Sequence, residues 1–170
     1  MIIIPISNNS RTLAERIASA YPTATLVAYK DFSESTFQTA EQLIFIGALG
    51  ICVRTIAPFA TDKHTDPAVV CIDSTGRFVI SVLSGHIGGA NELTRDLAHY
   101  LGAEPIITTQ SDNTQLWALD TLPRQFDWSW QAAKSNAAIA AFVNQEPTAL
   151  LLDIRDRGTD YLKRTAPAHV

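Results

Sequence analysis

Short continuous apolar runs alternate along this chain with longer stretches in which apolar positions recur every three or four residues. Ile2-Ile3-Ile4-Pro5-Ile6 and Leu43-Ile44-Phe45-Ile46 predict buried parallel strands, because strands covered on both faces lose the polar alternation of half-exposed ones. Leu13, Ile17 and Tyr21 follow one another at four-residue spacing and predict a helix over 10–20, introduced by the turn and cap residues Ser7-Asn8-Asn9-Ser10. A strand is expected at 24–29, a short helix within 32–41, and a helix over 51–57 that ends near Pro58. Two further strands, 68–72 and 78–83, flank the turn Asp73-Ser74-Thr75-Gly76 and predict a hairpin. Leu93, Leu97 and Leu101 mark one face of a helix over 92–101 that Gly102 closes.

Beyond this point the pattern predicts a strand at 105–108 and a helix capped by Ser111 or Asp112 that runs through Trp117 and Leu119. An irregular aromatic stretch follows at 123–130, then an alanine-rich helix at 132–143 and a last strand at 149–153. Residues 155–170 are polar and show no closing element. Strands alternating with helices predict a three-layer α/β/α fold around a mainly parallel central sheet. In such sheets ligands sit beyond the C-terminal ends of the strands.

Four turns therefore draw attention as chemistry-bearing. The run Ser84-Gly85-His86-Ile87-Gly88-Gly89-Ala90-Asn91 lies between a strand and a helix. Glycines let backbone N–H groups approach a ligand, a helix start favours an anion, and a histidine changes charge near neutral pH. His86, with Gly85, Gly88, Gly89 and Asn91, thus reads as an anion cradle with a general acid or base, or as a tight turn in which His86 and Asn91 bond locally. Its glycines have the wrong spacing for a dinucleotide fingerprint, and no Lys-Ser/Thr pair makes it a P-loop. A second loop holds Lys63, His64 and Asp66, with Arg54 upstream; it reads as cations for a carboxylate-rich ligand with Asp66 orienting a histidine, or as a solvated loop turning before Pro67. Thr108, Thr109, Ser111 and Asp112 end a strand and suit either ligand contacts or a helix cap. Gly47-Ala48-Leu49-Gly50 also follows a strand, as a ligand-facing loop or a close packing point.

Composition narrows the classes. The 170 residues fit one domain, or one domain and the start of another, and 46% hydrophobic with 18% charged residues suits a packed core. A net charge of −4 lacks the basic footprint of nucleic-acid binding. No apolar run reaches a membrane span, and the N-terminal run lacks a basic flank, so the cytoplasm is the default compartment. Cys52 and Cys71 sit in apolar segments and read as buried reduced thiols. His64, His86, Asp66 and Asp112 show no ligand spacing, so no protein-held metal is expected. No Gly-x-Ser-x-Gly elbow is present, and Ser84 is a weak nucleophile candidate.

The same residues carry a family resemblance. Phe45-Ile46-Gly47-Ala48-Leu49-Gly50-Ile51-Cys52-Val53-Arg54 resembles the start of the signature of the CbiG family, the cobalt-precorrin-5A hydrolases of anaerobic cobalamin synthesis. It continues through Ile56-Ala57-Pro58, Lys63-His64-Thr65-Asp66-Pro67-Ala68-Val69-Val70, Leu83-Ser84-Gly85-His86-Ile87-Gly88-Gly89-Ala90-Asn91-Glu92-Leu93 and Ile106-Ile107-Thr108-Thr109. Asp112 matches the family's aspartate, although Gln110-Ser111 stands where Ala-Thr is more usual. The match is strong over about 43–112 and looser elsewhere.

The resemblance implies a reaction: water opens a δ-lactone on the contracted corrinoid ring and a two-carbon fragment leaves as acetaldehyde. It implies a cobalt-corrinoid intermediate as partner, with the cobalt carried by the substrate and no separate cofactor. On this basis His86 or His64 is the expected base, Asp66 or Asp112 its orienting group, and amides around Gly88 and Gly89 the oxyanion donors. Arg54 and Lys63 would pair with substrate carboxylates, and Gly47, Gly50, Gly85, Asn91, Thr108 and Thr109 would line the site. Family members continue into a C-terminal domain, so 1–113 is expected to be the N-terminal α/β domain and 114–170 the start of the family's middle region. Two other readings stand beside this one: a corrinoid-binding module that hands an intermediate to other cobalamin-synthesis enzymes or to a missing C-terminal domain, and an α/β domain binding a phosphate or nucleotide.

Overall fold

The computed structural model describes residues 1–62, 64–114, 116–119, 122–129, 131 and 135–170. They form two compact units, Met1–Thr108 and Thr109–Val170. In the first, β1 (Ile2–Pro5), β2 (Thr25–Leu26), β3 (Gln42–Ile46), β4 (Ala68–Ile72), β5 (Phe78–Leu83) and β6 (Glu104–Ile106) make one sheet in the order β2-β1-β3-β4-β5-β6. Pairings are parallel except β4 with β5. The expected hairpin forms there, and it has a topological consequence: β5 and β6 run opposite to β1–β4.

The apolar runs become strands because both sheet faces are covered. Ile3, Ile44, Ile46, Val70, Ile72 and Val79 turn to one face, against α1 (Arg11–Ala20) and α4 (Ala90–Leu101). Ile4, Leu43, Phe45, Val69 and Cys71 turn to the other, against α2 (Glu34–Thr39) and α3 (Leu49–Ile56). This is the expected three-layer α/β/α arrangement. Each such side chain, removed from water, contributes roughly 1.5–3 kcal/mol. Cys52 and Cys71 are free and buried in the second face, and the hydrogen bond between them together with burial pushes the Cys52 thiol up, so it stays protonated.

Four local expectations are corrected in this unit. The strand at 24–29 shrinks to two edge residues, because the chain turns into a 3₁₀ segment at Tyr29–Asp31. The helix after Gly47 begins at Leu49 rather than 51, and that after Gly89 at Ala90 rather than 92. The last strand ends at Ile106.

The second unit holds α5 (Gln110–Thr114), α6 (Ser135–Val143) and α7 (Arg157–Thr165) around Trp117, Leu122, Phe142 and Leu162. The start of the alanine-rich helix expected at 132–134 lies outside the described residues. No strand forms at 149–153: Leu150 and Leu152 pack into the small core and Leu151 is 88% exposed. The alternation is strand-like, but the segment pairs with no strand of the sheet. The helix expected through Trp117 and Leu119 stops at Thr114, since Trp117 stacks on Phe142 at 5.9 Å and donates from Nε1 to the Thr165 hydroxyl at 2.9 Å. The polar tail does close: Asp156 and Thr159 form a reciprocal capping box that starts α7, and Asp156 also accepts from Trp128 Nε1 at 2.9 Å.

Candidate functional site

The reversed strands divide the expected site residues between two rims of the sheet. The loop at 61–67 enters β4, the turn at 84–91 leaves β5 and Thr108 follows β6, so all three stand on one rim. Gly47 and Gly50 follow β3 and stand on the other, about 16 Å away across five strand residues. Arg54 goes with them: its Nη2 is 3.5 Å from where a Cβ on Gly50 would lie. The expectation that all strand-end loops share one edge thus holds for β1–β4 and fails for β5 and β6. Lys63 lies outside the described residues.

On the first rim, His86 is half-buried and His64 exposed. The turn is closed by its own backbone, with Gly89 N donating to His86 O at 3.2 Å, Ala90 N to Ser84 O at 3.2 Å and Asn91 N to Gly85 O at 3.0 Å. Gly89 has φ +83°, a left-handed conformation that suits glycine at the start of α4. Gly88 is required by space: an added Cβ would sit 2.6 Å from Ser84 Cβ and 2.9 Å from Ser84 O. Asn91 is buried and accepts from the Ser81 hydroxyl at 2.7 Å. It therefore acts from beneath the turn. Ser84, at φ +55°, donates from Oγ to the Asp66 carbonyl at 3.0 Å.

The Asp66 carboxylate is engaged within its own loop. It accepts from Thr61 N at 2.9 and 3.2 Å and from Asp62 N at 3.1 Å. Asp62 Oδ1 in turn accepts from His64 N at 2.9 Å. These bonds shape the loop that carries His64. In the second unit α5 begins at Gln110, so Thr109 immediately precedes it, and the Thr109 hydroxyl donates to Asp112 Oδ2 at 2.5 Å.

On the opposite rim Gly47 answers to packing. Its φ is +155°, and a Cβ there would lie 2.9 Å from Ile6 Cβ. Beside it opens a cleft of about 640 Å³, lined by Ser7, Asn8, Arg11, Tyr29 and Lys30 among others. Residues 7–10, whose sequence reads as turn and cap chemistry, are also a polar run directly after a central strand, the signal of a ligand-facing edge. At the same rim Asp73 folds the hairpin turn. Burial raises its carboxyl, but bonds from the Thr75 hydroxyl and the Phe78, Thr75 and Arg77 amides outweigh it and hold the group below its ordinary 3.8.

Among the described residues no group of three or more His, Cys, Asp or Glu converges to hold a metal ion, and no helix is long and apolar enough to cross a membrane. The first rim combines two histidines with a glycine-rich turn, an arrangement suited to proton transfer beside an anion.

The family model for the cobalamin synthesis G N-terminal region matches residues 31–112, and that for the cobalamin biosynthesis central region matches 117–170. A cobalt-precorrin-5A hydrolase from Priestia megaterium is 44% identical over 137 residues, which is 80% of this chain and 37% of the relative. Another from Salmonella typhimurium is 54% identical over 99 residues, 58% of this chain and 28% of the relative. The crystal structure of a cobalamin biosynthesis protein G homologue from Sulfolobus solfataricus superposes with a TM-score of 0.60 at 25% identity, covering 92% of this chain and 51% of that one. The chain spans about a third of the length of the curated relatives it matches.

Proposed function

This chain belongs to the CbiG family of cobalamin biosynthesis, and on that premise we propose that it takes part in the hydrolytic opening of the ring lactone of cobalt-precorrin-5A, with release of acetaldehyde. The observation that carries the proposal is one rim bearing His64, His86 and the glycine turn, all inside the stretch matched by the N-terminal family model.

The attacking water loses a proton as it adds to the lactone carbonyl, and a histidine near neutral pKa suits that transfer. His86, half-buried in the turn, or His64, on the facing loop, is that base. The Asp66 carboxylate, which accepts from Thr61 N and Asp62 N, fixes the loop that carries His64. The negative charge that develops on the carbonyl oxygen needs donors. The Gly89, Ala90 and Asn91 amides already close the turn, which favours the Ile87 and Gly88 amides as donors. The cobalt enters with the corrinoid.

Incubating the chain with cobalt-precorrin-5A and assaying acetaldehyde tests the reading; corrinoid turnover without acetaldehyde would overturn it. The chain spans about a third of its relatives' length, and that observation favours a second reading, a module that binds the corrinoid while other protein supplies the chemistry. Tight corrinoid binding with no reaction, restored when the remaining part of a full-length relative is added, distinguishes this case.

A further inference from the structure

One position on the histidine rim is filled against conformational preference. Ser84 has φ +55°, in the left-handed region where a side chain is disfavoured, although the neighbouring positions 85, 88 and 89 are all glycine. A glycine at 84 would adopt this backbone without penalty. What the serine adds is its hydroxyl, and that hydroxyl donates to the Asp66 carbonyl, 18 residues earlier, at 3.0 Å.

Each end of this bond is itself held. Asp66 is fixed by its carboxylate on Thr61 N and Asp62 N, and by its own amide on Asp62 O at 2.8 Å. Ser84 is fixed by its carbonyl, which accepts from Ala90 N, and by Gly88, whose missing side chain makes room for Ser84 Cβ. His64 lies two residues before Asp66, and His86 two residues after Ser84. Two residues of chain span at most about 7 Å, so a single bond limits how far each histidine drifts from the other.

We propose that Ser84 is a positioning residue for the lactone-opening reaction: its hydroxyl clamps the 61–67 loop to the 84–91 turn and so sets the spacing of His64 and His86. This rests on the hydrolase reading. It also accounts for the serine without a nucleophilic role. Misplacing a reacting group by about 1 Å can cost 100-fold in rate, whereas binding contacts elsewhere are untouched.

The test uses Ser84→Gly, which keeps the backbone and removes the hydroxyl, and Ser84→Asn, which tolerates the left-handed region and restores a donor. With cobalt-precorrin-5A as substrate, Ser84→Gly is expected to lower kcat about 10- to 100-fold with KM within about threefold, and Ser84→Asn to recover most of the loss. Wild-type kcat in Ser84→Gly, or a loss that merely follows the melting temperature in both variants, overturns the clamp. A second readout is independent of turnover: hydrogen exchange at the Thr65 and Asp66 amides should accelerate about tenfold in Ser84→Gly while the interior of α4 is unchanged. If wild type releases no acetaldehyde, the hydrolase reading fails on its own, and unchanged exchange then still overturns the clamp.

Discussion

The side-chain amide of Asn91 fills the space beside Gly85 in which a Cβ would have to sit, with Oδ1 2.8 Å and Cγ 3.1 Å from that position. The two residues are also joined by the Asn91 N to Gly85 O bond. The turn is thus built on a buried amide that accepts from Ser81.

Asn91→Ala should accordingly destabilise the protein by about 1–3 kcal/mol, because it leaves the Ser81 hydroxyl without its acceptor and opens a void under the turn. Gly85→Ala should cost a similar amount by displacing the amide. Urea melts of both variants check this. Equal stability to wild type in either would show that the turn does not depend on the pair.

His86→Ala should reduce acetaldehyde release by about 100-fold or more if His86 is the base, a loss larger than any change in melting temperature accounts for. The same change at His64 should be much milder in that case. Reversed magnitudes would move the base to His64, and near-normal turnover in both would remove the histidines from the proton transfer.

Gly47→Ala and Arg54→Ala should behave differently from those variants. The first forces a Cβ against Ile6 at φ +155° and should cost about 1–3 kcal/mol of stability. The second, exposed on the far rim, should leave kcat within about threefold of wild type. A large kcat loss in Arg54→Ala at full stability would place substrate on both rims.

Asp73→Asn tests the pH dependence of the fold. The folded carboxyl is held below its ordinary 3.8, so its stabilising contribution is present above that value and is lost as pH falls through the folded value. The variant should be less stable at neutral pH, by no more than about 1 kcal/mol given how exposed the group is, and should lose less stability than wild type below about pH 4. Parallel pH–stability curves for the two proteins would contradict this.

Much of the architecture was legible in the apolar runs. Ile2–Pro5, Gln42–Ile46 and Ala68–Ile72 are buried on both faces, and continuous hydrophobicity is the signature of such strands. The hairpin was legible from the Asp73-Ser74-Thr75-Gly76 turn, yet its effect on the rims was not, because strand direction relative to the rest of a sheet is not encoded in any local pattern. Residues 149–153 show the limit from the other side: Leu150, Leu151 and Leu152 look like a strand, but a strand needs a partner, and which segment pairs is a tertiary matter. For the site, the glycines at 85 and 88 read in the sequence as room for a ligand, whereas the fold gives them a packing cause. They answer to Asn91 and Ser84, neighbours that only the folded turn brings close.

The reversal of β5 and β6 has a consequence for how this domain diversifies. In an ordinary doubly wound sheet every loop after a strand crowds one rim, and a change that helps one loop is constrained by all the others. Here the loops after β1 and β3 and the turn after β5 occupy separate rims joined through a rigid core. A substitution in the cleft beside Arg11 and Lys30 is thus separated from the histidine rim by the length of the strands, and the sheet presents two edges to solvent on one scaffold.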